Sequence, residues 1–324
     1  MKMVYGPVPS RRLGRSLGVN PIPFKTCDYS CVYCQLGRTT HITTQRKDFF
    51  PPEELLNEIK RVIEIESSHS EIDFVTFVGE GEPTLCKSLG WLIKKTKEIA
   101  DIPIAVDTNG SLLYREDVRN DLSQADVVMP SFDAGTAETF RKINRPHRGL
   151  DFEAVVEGME RFRQEYDGEI WMEVMLVKGL NDSEGELKAI KSRLEPIEPD
   201  RTYINLPIRP PAEPWAVPPD KDAIALAHAI LGDVNVVDIT TEETGDFSTD
   251  GFTNPEDAIL AIIRRHPMRE EQVIETLKKF KLKEEEDIHD NLKRLAESGK
   301  IKKVKYRDKV FWLTEEEKRG KEYD

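Results

Sequence analysis

The chain has 324 residues, of which 38% are hydrophobic and 33% charged, and its net charge is −13. This composition excludes a disordered chain, and the length suits one large domain plus a small one. Apolar stretches such as Ile102–Val106 are far too short to span a membrane and no apolar run opens the chain, so a soluble cytoplasmic protein is expected.

The segment GPVPSRRLGRSLG crowds Arg11, Arg12 and Arg15 beside glycines, ahead of a strand near Gly18–Pro21. Such arginines either bind a substrate phosphate or carboxylate or form a surface charge run. Pro51-Pro52-Glu53-Glu54 opens a helix carrying Leu55, Leu56, Ile59, Val62 and Ile63 at helical spacing. Asp73–Val78 reads as a strand, Leu89–Ala100 as a helix and Ile102–Asp107 as a strand ending in Thr-Asn-Gly. A strand at Asp126–Asp133 precedes helices at 136–144 and 151–166. A strand at Ile170–Val177, a helix at 184–194 and a strand at Arg201–Pro207 follow. This alternation predicts an α/β fold with about six β/α units, a partial (β/α)6 TIM-type barrel. Ligands in such folds sit at the C-terminal ends of the strands.

Residues 208–219 are proline-rich and read as extended, followed by a helix at 220–231, a strand at Val234–Ile239 and a polar linker at 241–254. Asn254 and Pro255 then open a helix at 255–265. Helices at 269–280 and 284–298, closed by Gly299, and strands at 300–306 and 309–313 complete a winged-helix pattern. The expected division is a core over 1–215, a connector over 216–254, a winged helix over 255–315 and a charged tail over 316–324. Residues 255–324 are nearly balanced, with 18 basic and 17 acidic side chains, so the preceding residues carry the acidic excess. Lys300, Lys302, Lys303, Lys305 and Arg307, with Tyr306 interleaved, either lie along phosphates or guard a solvated edge strand. The acidic KEEED at 283–287 disfavours DNA at that helix end.

There are four cysteines, Cys27, Cys31, Cys34 and Cys86, three of them in CDYSCVYC. Close cysteines in a cytosolic chain argue for metal binding over disulfides. Three thiolates converging in one loop can hold an iron–sulfur cluster with one iron left open. They can also hold a structural zinc if His41 or Cys86 supplies a fourth ligand.

The Cys-x3-Cys-x2-Cys spacing, with aromatic Tyr33 before the last cysteine, resembles the radical S-adenosylmethionine (SAM) superfamily. The resemblance implies a 4Fe–4S cluster on Cys27, Cys31 and Cys34. It also implies SAM bound at the open iron, and an external electron donor of ferredoxin or flavodoxin type. Reductive cleavage of SAM then gives a 5′-deoxyadenosyl radical that abstracts hydrogen from a substrate. Val78–Thr84, VGEGEPT, looks like the GGEP-type motif, which implies Gly79, Gly81 and Glu82 near the SAM amino group. Asn109 in Thr-Asn-Gly implies a polar contact to SAM or substrate; the alternative is an Asn-Gly turn. Ser131 and Asp133, on the same side as Met129, resemble a strand end that contacts the ribose; the alternative is a helix cap. Ile143–Pro146 with His147 and Arg148 is similar to a loop in related enzymes. Lys178 and Asn181 are candidates to meet the SAM carboxylate, and Leu206-Pro207 to border the adenine. Surface and core roles explain these four equally. Cys86 is either a buried thiol or a radical relay.

From VYGPVPSRRLGRSLGVNPIP through GEGEPTL the chain resembles archaeal and bacterial iron–sulfur oxidoreductases grouped with wybutosine-pathway enzymes of the 4-demethylwyosine synthase type. This resemblance covers residues 4–210. Those tRNA enzymes carry a second cluster on N-terminal cysteines that this chain lacks. The expected function is radical SAM modification of a macromolecule, RNA or protein, recruited by the winged helix. The alternatives are a small-molecule or glycyl-radical activating enzyme, and a zinc-stabilised DNA-binding regulator.

Overall fold

The computed structural model describes residues 3–66, 72–237, 254–265, 267–278 and 285–315. Strands β1 (Val4–Ser10) and β2 (Gly14–Val19) form an antiparallel hairpin. Pro7 and Pro9 disguise β1 in the sequence, but an edge strand tolerates proline because its outer N–H groups need no partner. Short strands β3 (Thr26–Cys27) and β4 (His41–Ile42) pair across the cysteine loop. Helix α1 (Pro52–Glu66) buries Leu55, Ile59 and Ile63 and carries Glu53 and Glu54 in its first turn, where acids suit the helix dipole.

Next come β5 (Phe74–Val78), α2 (Leu89–Ile99), β6 (Ile104–Thr108), α3 (Glu116–Leu122) and β7 (Val127–Pro130). Helices α4 (Ala137–Ile143) and α5 (Phe152–Glu165) precede β8 (Glu169–Met175), α6 (Glu184–Leu194) and β9 (Arg201–Asn205). Helix α7 (Lys221–Leu231) and β10 (Val236–Val237) follow. The seven-residue α3 is too short to show periodicity, which is why sequence reading passes over it. Thr136, Asp151, Ser183 and Asp220 cap α4, α5, α6 and α7 by accepting backbone N–H bonds, which fixes where each helix starts.

The main sheet runs β1-β2-β5-β6-β7-β8-β9-β10, parallel throughout except for the β1–β2 pair. The sheet is therefore mixed, and among the described residues its end strands do not meet to close a barrel. One face packs on the helices through Val75, Val106, Val128, Met172 and Ile204. The other face carries a small apolar cluster of Leu13, Ala105, Val127, Met129, Trp171 and Tyr203. Alternation along each strand then sets Asp107, Ser131, Glu173 and Asn205 on this second face, toward the strand C-termini.

Helix α8 (Pro255–Arg265), β11 (Met268–Arg269), α9 (Glu270–Lys278), α10 (Glu285–Glu297), β12 (Ile301–Tyr306) and β13 (Lys309–Thr314) form a second core. Their three-stranded antiparallel sheet has the order β11-β13-β12; the strand β11 is not legible in the sequence. Ile239, the linker at 241–253, Lys283 and Glu284 of the acidic run, and the tail at 316–324 lie outside the described residues. No helix among the described residues is long and apolar enough to cross a membrane.

Candidate cluster and cofactor site

Cys27, the last residue of β3, and Cys31 and Cys34, on the loop that follows, are half-buried thiols outside any disulfide. All three line one cavity of about 380 Å³, together with Tyr33, Gly79, Gly81, Glu82, Asn109 and Ser131. Polar hydrogens point at the sulfurs. The Tyr29 backbone N–H donates to Cys27 Sγ (3.4 Å), as does the Asn109 amide (3.7 Å), and the Asn144 amide donates to Cys31 Sγ (3.6 Å). Burial, then Asp28 beside Cys27 and Asp133 beside Cys31, pushes these two thiols up.

The Gly-Glu-Pro turn after β5 is docked on the start of the cysteine loop. The Glu82 N–H donates to the Thr26 carbonyl (3.0 Å). A Cβ at Gly81 would lie 1.7 Å from that same oxygen, so only glycine permits this approach. The Glu82 side chain is 2% exposed and entirely engaged within the chain. Its Oε1 accepts from Thr84 N (3.0 Å), Thr84 Oγ1 (2.6 Å) and Thr108 Oγ1 (2.6 Å), and its Oε2 from Asn109 N (2.8 Å). Burial and the neighbouring Asp28 carboxylate raise its pKa, and these donors pull it back. Glu82 therefore ties the turn after β5 to the turn after β6. Asn109 continues the chain of bonds by donating to Asp28 Oδ1 (2.6 Å), and Ser111 also donates to Asp28.

Asp133 sits behind Tyr33, 3% exposed. It accepts from the Tyr33 hydroxyl (2.5 Å), the Asn144 amide (2.7 Å) and Met175 N (2.9 Å). The cap of α4 is Thr136, not Asp133. Ser131 lines the cavity and is held by its N–H on the Thr108 carbonyl (3.1 Å). The Ile143–Pro146 loop packs on the cysteine loop, with Val32 N on the Ile143 carbonyl (2.9 Å) and Pro146 bridged to Tyr29. Arg145 and Arg38 both pair with buried Glu213 (2.5 and 2.8 Å), which clamps that loop further.

Other sequence candidates land elsewhere. Asn181 is fully buried and bonds Asp133 O, Met175 O and Val177 N, so it is a structural clamp. Lys178 is exposed, 3.8 Å from Asp220, and lies outside the cavity. Leu206 and Pro207 do line it. Arg12 lines the cavity but is paired with Glu173 and lies 3.9 Å from Asp107, while Arg15 is exposed. Cys86 is 4% exposed and outside the cavity, and burial pushes its thiol up to about 12. His41 is exposed and outside it too. Among the described residues no three His, Cys, Asp or Glu side chains converge closely enough on one metal ion. Neither His41 nor Cys86, the two fourth ligands considered for zinc, lines the cavity with the three thiols.

Sequence reading assigned no role to Asp28, Asp107, Glu173 or Asn205, and singled out Asn144 only within the Ile143–Pro146 loop. For Asp107 and Glu173 a signal existed: each is a charged residue inside an otherwise apolar strand, which alternation turns toward one face. Asp28 and Asn144 carry no local signal, because their partners are about 80 or more residues away or reached through a loop.

The radical SAM superfamily model matches residues 22–188. The chain is 38% identical to UPF0026 protein MJ1312 of Methanocaldococcus jannaschii over 99% of this chain and 98% of that protein. In fold it is similar to a radical SAM methyltransferase from Sphaerobacter thermophilus, with a TM-score of 0.52 at 15% identity over 68% of this chain and 65% of that one. It is also similar to native anSMEcpe with bound AdoMet, with a TM-score of 0.50 at 19% identity over 67% and 59%. The cofactors of the superfamily are a 4Fe–4S cluster and SAM. Three thiols facing one cavity, with N–H donors aimed at two of the sulfurs, are a donor set that fits such a cluster. The relative makes this a UPF0026 protein, and the family match and the donor set agree: the chain belongs to the radical SAM superfamily and is a radical SAM enzyme.

Proposed function

We propose that Cys27, Cys31 and Cys34 hold the 4Fe–4S cluster and that SAM binds against Tyr33, Gly79, Gly81, Asn109 and Ser131. Glu82 and Asp133 fix the shape of that site from behind. When bound, the two cofactors supply reductive cleavage of the SAM sulfonium and hydrogen-atom abstraction from the substrate, with electrons from an external reductant of ferredoxin or flavodoxin type. The chain's own residues position and shield. Asn109 and Asn144 donate to cysteine sulfur, the Gly-Glu-Pro turn presents backbone at close range, and the apolar cluster around Trp171 and Tyr203 keeps water from entering below.

The observation that carries this reading is convergence. Motifs from the turns after β5, β6 and β7, far apart in sequence, line the same cavity as the three thiols. Residues 255–315 are read as a winged helix that recruits a macromolecular substrate, RNA or protein, in the cytoplasm. The connector at 216–254 joins it to the core, and 316–324 is its charged tail. Lys300, Lys302, Lys305 and Arg307 on and beside β12 are the proposed contacts. Lys303 is already bound to Glu270 (2.8 Å) and lies over Trp312, so it contributes least.

The test is anaerobic reconstitution with iron and sulfide, then dithionite and SAM, reading 5′-deoxyadenosine. Brown wild-type protein that forms it, and a Cys31→Ala variant that does not, support the reading. Colourless, zinc-bound protein that cleaves nothing overturns it.

A further inference from the structure

The floor of the cavity holds a set of polar groups that the cofactor motifs do not use. Asp107 lies two residues before Asn109 on β6 and therefore faces the same side, one layer deeper. Glu173 of β8 and Asn205 of β9 line the same level, and the Asn205 amide donates to Glu173 Oε2 (3.1 Å). Arg12, from the β1–β2 turn, pairs with the other side of Glu173. On the same face the apolar cluster of Leu13, Ala105, Val127, Met129, Trp171 and Tyr203 lies toward the strand N-termini.

Arg12 stands between two carboxylates, Glu173 and Asp107. Arg12 and Glu173 neutralise one another, and Asn205 satisfies the remaining carboxylate oxygen. Asp107 is left with Arg12 at 3.9 Å, too far for a hydrogen bond, and its carboxylate accepts none among the described residues. Burial raises its pKa and Arg12 lowers it, and the side chain, 28% exposed, opens to the cavity. Met129, Met175, Leu206 and Val78 line the cavity walls and offer apolar contact to an unbranched stem.

Resting on the cofactor reading above, we propose that Asp107 anchors the terminal ammonium group of a substrate carried on an aliphatic stem, as a lysine side chain of a protein presents it. Arg12 is shared with Glu173, and at 3.9 Å it makes no hydrogen bond to Asp107, which leaves that carboxylate room for a second cation. This makes protein, rather than RNA, the macromolecule that enters the site.

The experiment uses the reconstituted holoenzyme with SAM and two probes, acetyl-Gly-Lys-Gly-amide and the same peptide with norleucine in place of lysine. Their affinities are read by calorimetry. Wild type is expected to prefer the lysine peptide at least 10-fold. Asp107→Asn, an isosteric change, is expected to bring that preference close to unity. Glu173→Gln is expected to weaken it as well, because Arg12 is then released toward Asp107. Thermal midpoints of both variants confirm folding, and two variants guard against the loss of either. Equal affinity for the two peptides, no binding of either, or an undiminished preference in Asp107→Asn overturns the proposal. So does an RNA oligonucleotide that displaces the lysine peptide and binds Asp107→Asn and wild type alike. Failure of the cofactor reading is separate: it appears as no 5′-deoxyadenosine from wild type without any peptide, whatever the peptide affinities.

Discussion

Glu82→Gln tests whether the Glu of the Gly-Glu-Pro turn is a scaffold or a cofactor contact. Its two oxygens accept four bonds from Thr84 N, Thr84 Oγ1, Thr108 Oγ1 and Asn109 N. Glutamine keeps one acceptor oxygen. Placed toward the three donors on the Oε1 side, it turns its NH₂ against the Asn109 N–H, donor facing donor. One charge-assisted bond is lost and a buried donor is stranded, while a desolvated charge is removed. The net cost is about 2 kcal/mol, a drop of roughly 5 °C in Tm. Glu82→Ala strands all four donors at ~1–3 kcal/mol each and is expected to leave the core unfolded or close to it. The assay is anaerobic thermal denaturation of the apo-protein, with SAM affinity on the reconstituted enzyme. A cycle with Thr108→Val should return a coupling of about 1 kcal/mol. If Glu82→Gln matches wild type in stability yet loses SAM binding, the scaffold argument is wrong and the carboxylate contacts the cofactor itself.

Tyr33→Phe removes the hydroxyl that donates to buried Asp133 and is expected to cost about 1–2 kcal/mol, measured by chemical denaturation with the m-value unchanged. Asn144→Leu removes an N–H from both Cys31 Sγ and Asp133, and the cluster potential, read by EPR-monitored titration, should shift negative as the sulfur loses a donor. Because burial lifts the Cys86 thiol to about 12, it stays protonated at pH 8; iodoacetamide should leave it unlabelled in the native protein and label it in guanidinium, as peptide mapping will show. Arg264→Ala removes the guanidinium 3.3 Å from buried Glu80 and stacked on Phe24 (4.7 Å), with an expected loss of about 1–2 kcal/mol; unchanged stability would mean this contact between α8 and the Gly-Glu-Pro segment contributes nothing.

The alternation of β and α stretches was readable because the central strands are short apolar runs and the longer covering helices carry an apolar stripe, several with a cap. Asp151 before α5 and Ser183 before α6 are examples. The cysteine loop, the Gly-Glu-Pro turn and Thr-Asn-Gly were readable for a different reason: each is a local motif whose chemistry depends on spacing within a few residues. The edge strand β1 was hidden because its prolines forbid a central position but not an outer one, and only the sheet order reveals which it has.

The roles of the side chains were decided by the tertiary structure. Asp133 and Asn181 look like ligand contacts in sequence, yet each spends its polar atoms on neighbours brought in by other strands and loops. Arg12 looks like an anion site, but the fold sets Glu173 against it. The composition and motifs of this chain by themselves determine that it is an α/β protein with three thiolates in one loop. Which polar groups remain available in the cavity depends on which donors and acceptors pair within the chain. That pairing is long-range: Tyr33 reaches Asp133 across 100 residues and Cys31 meets Asn144 across 113, contacts that exist only once the parallel strands are in register.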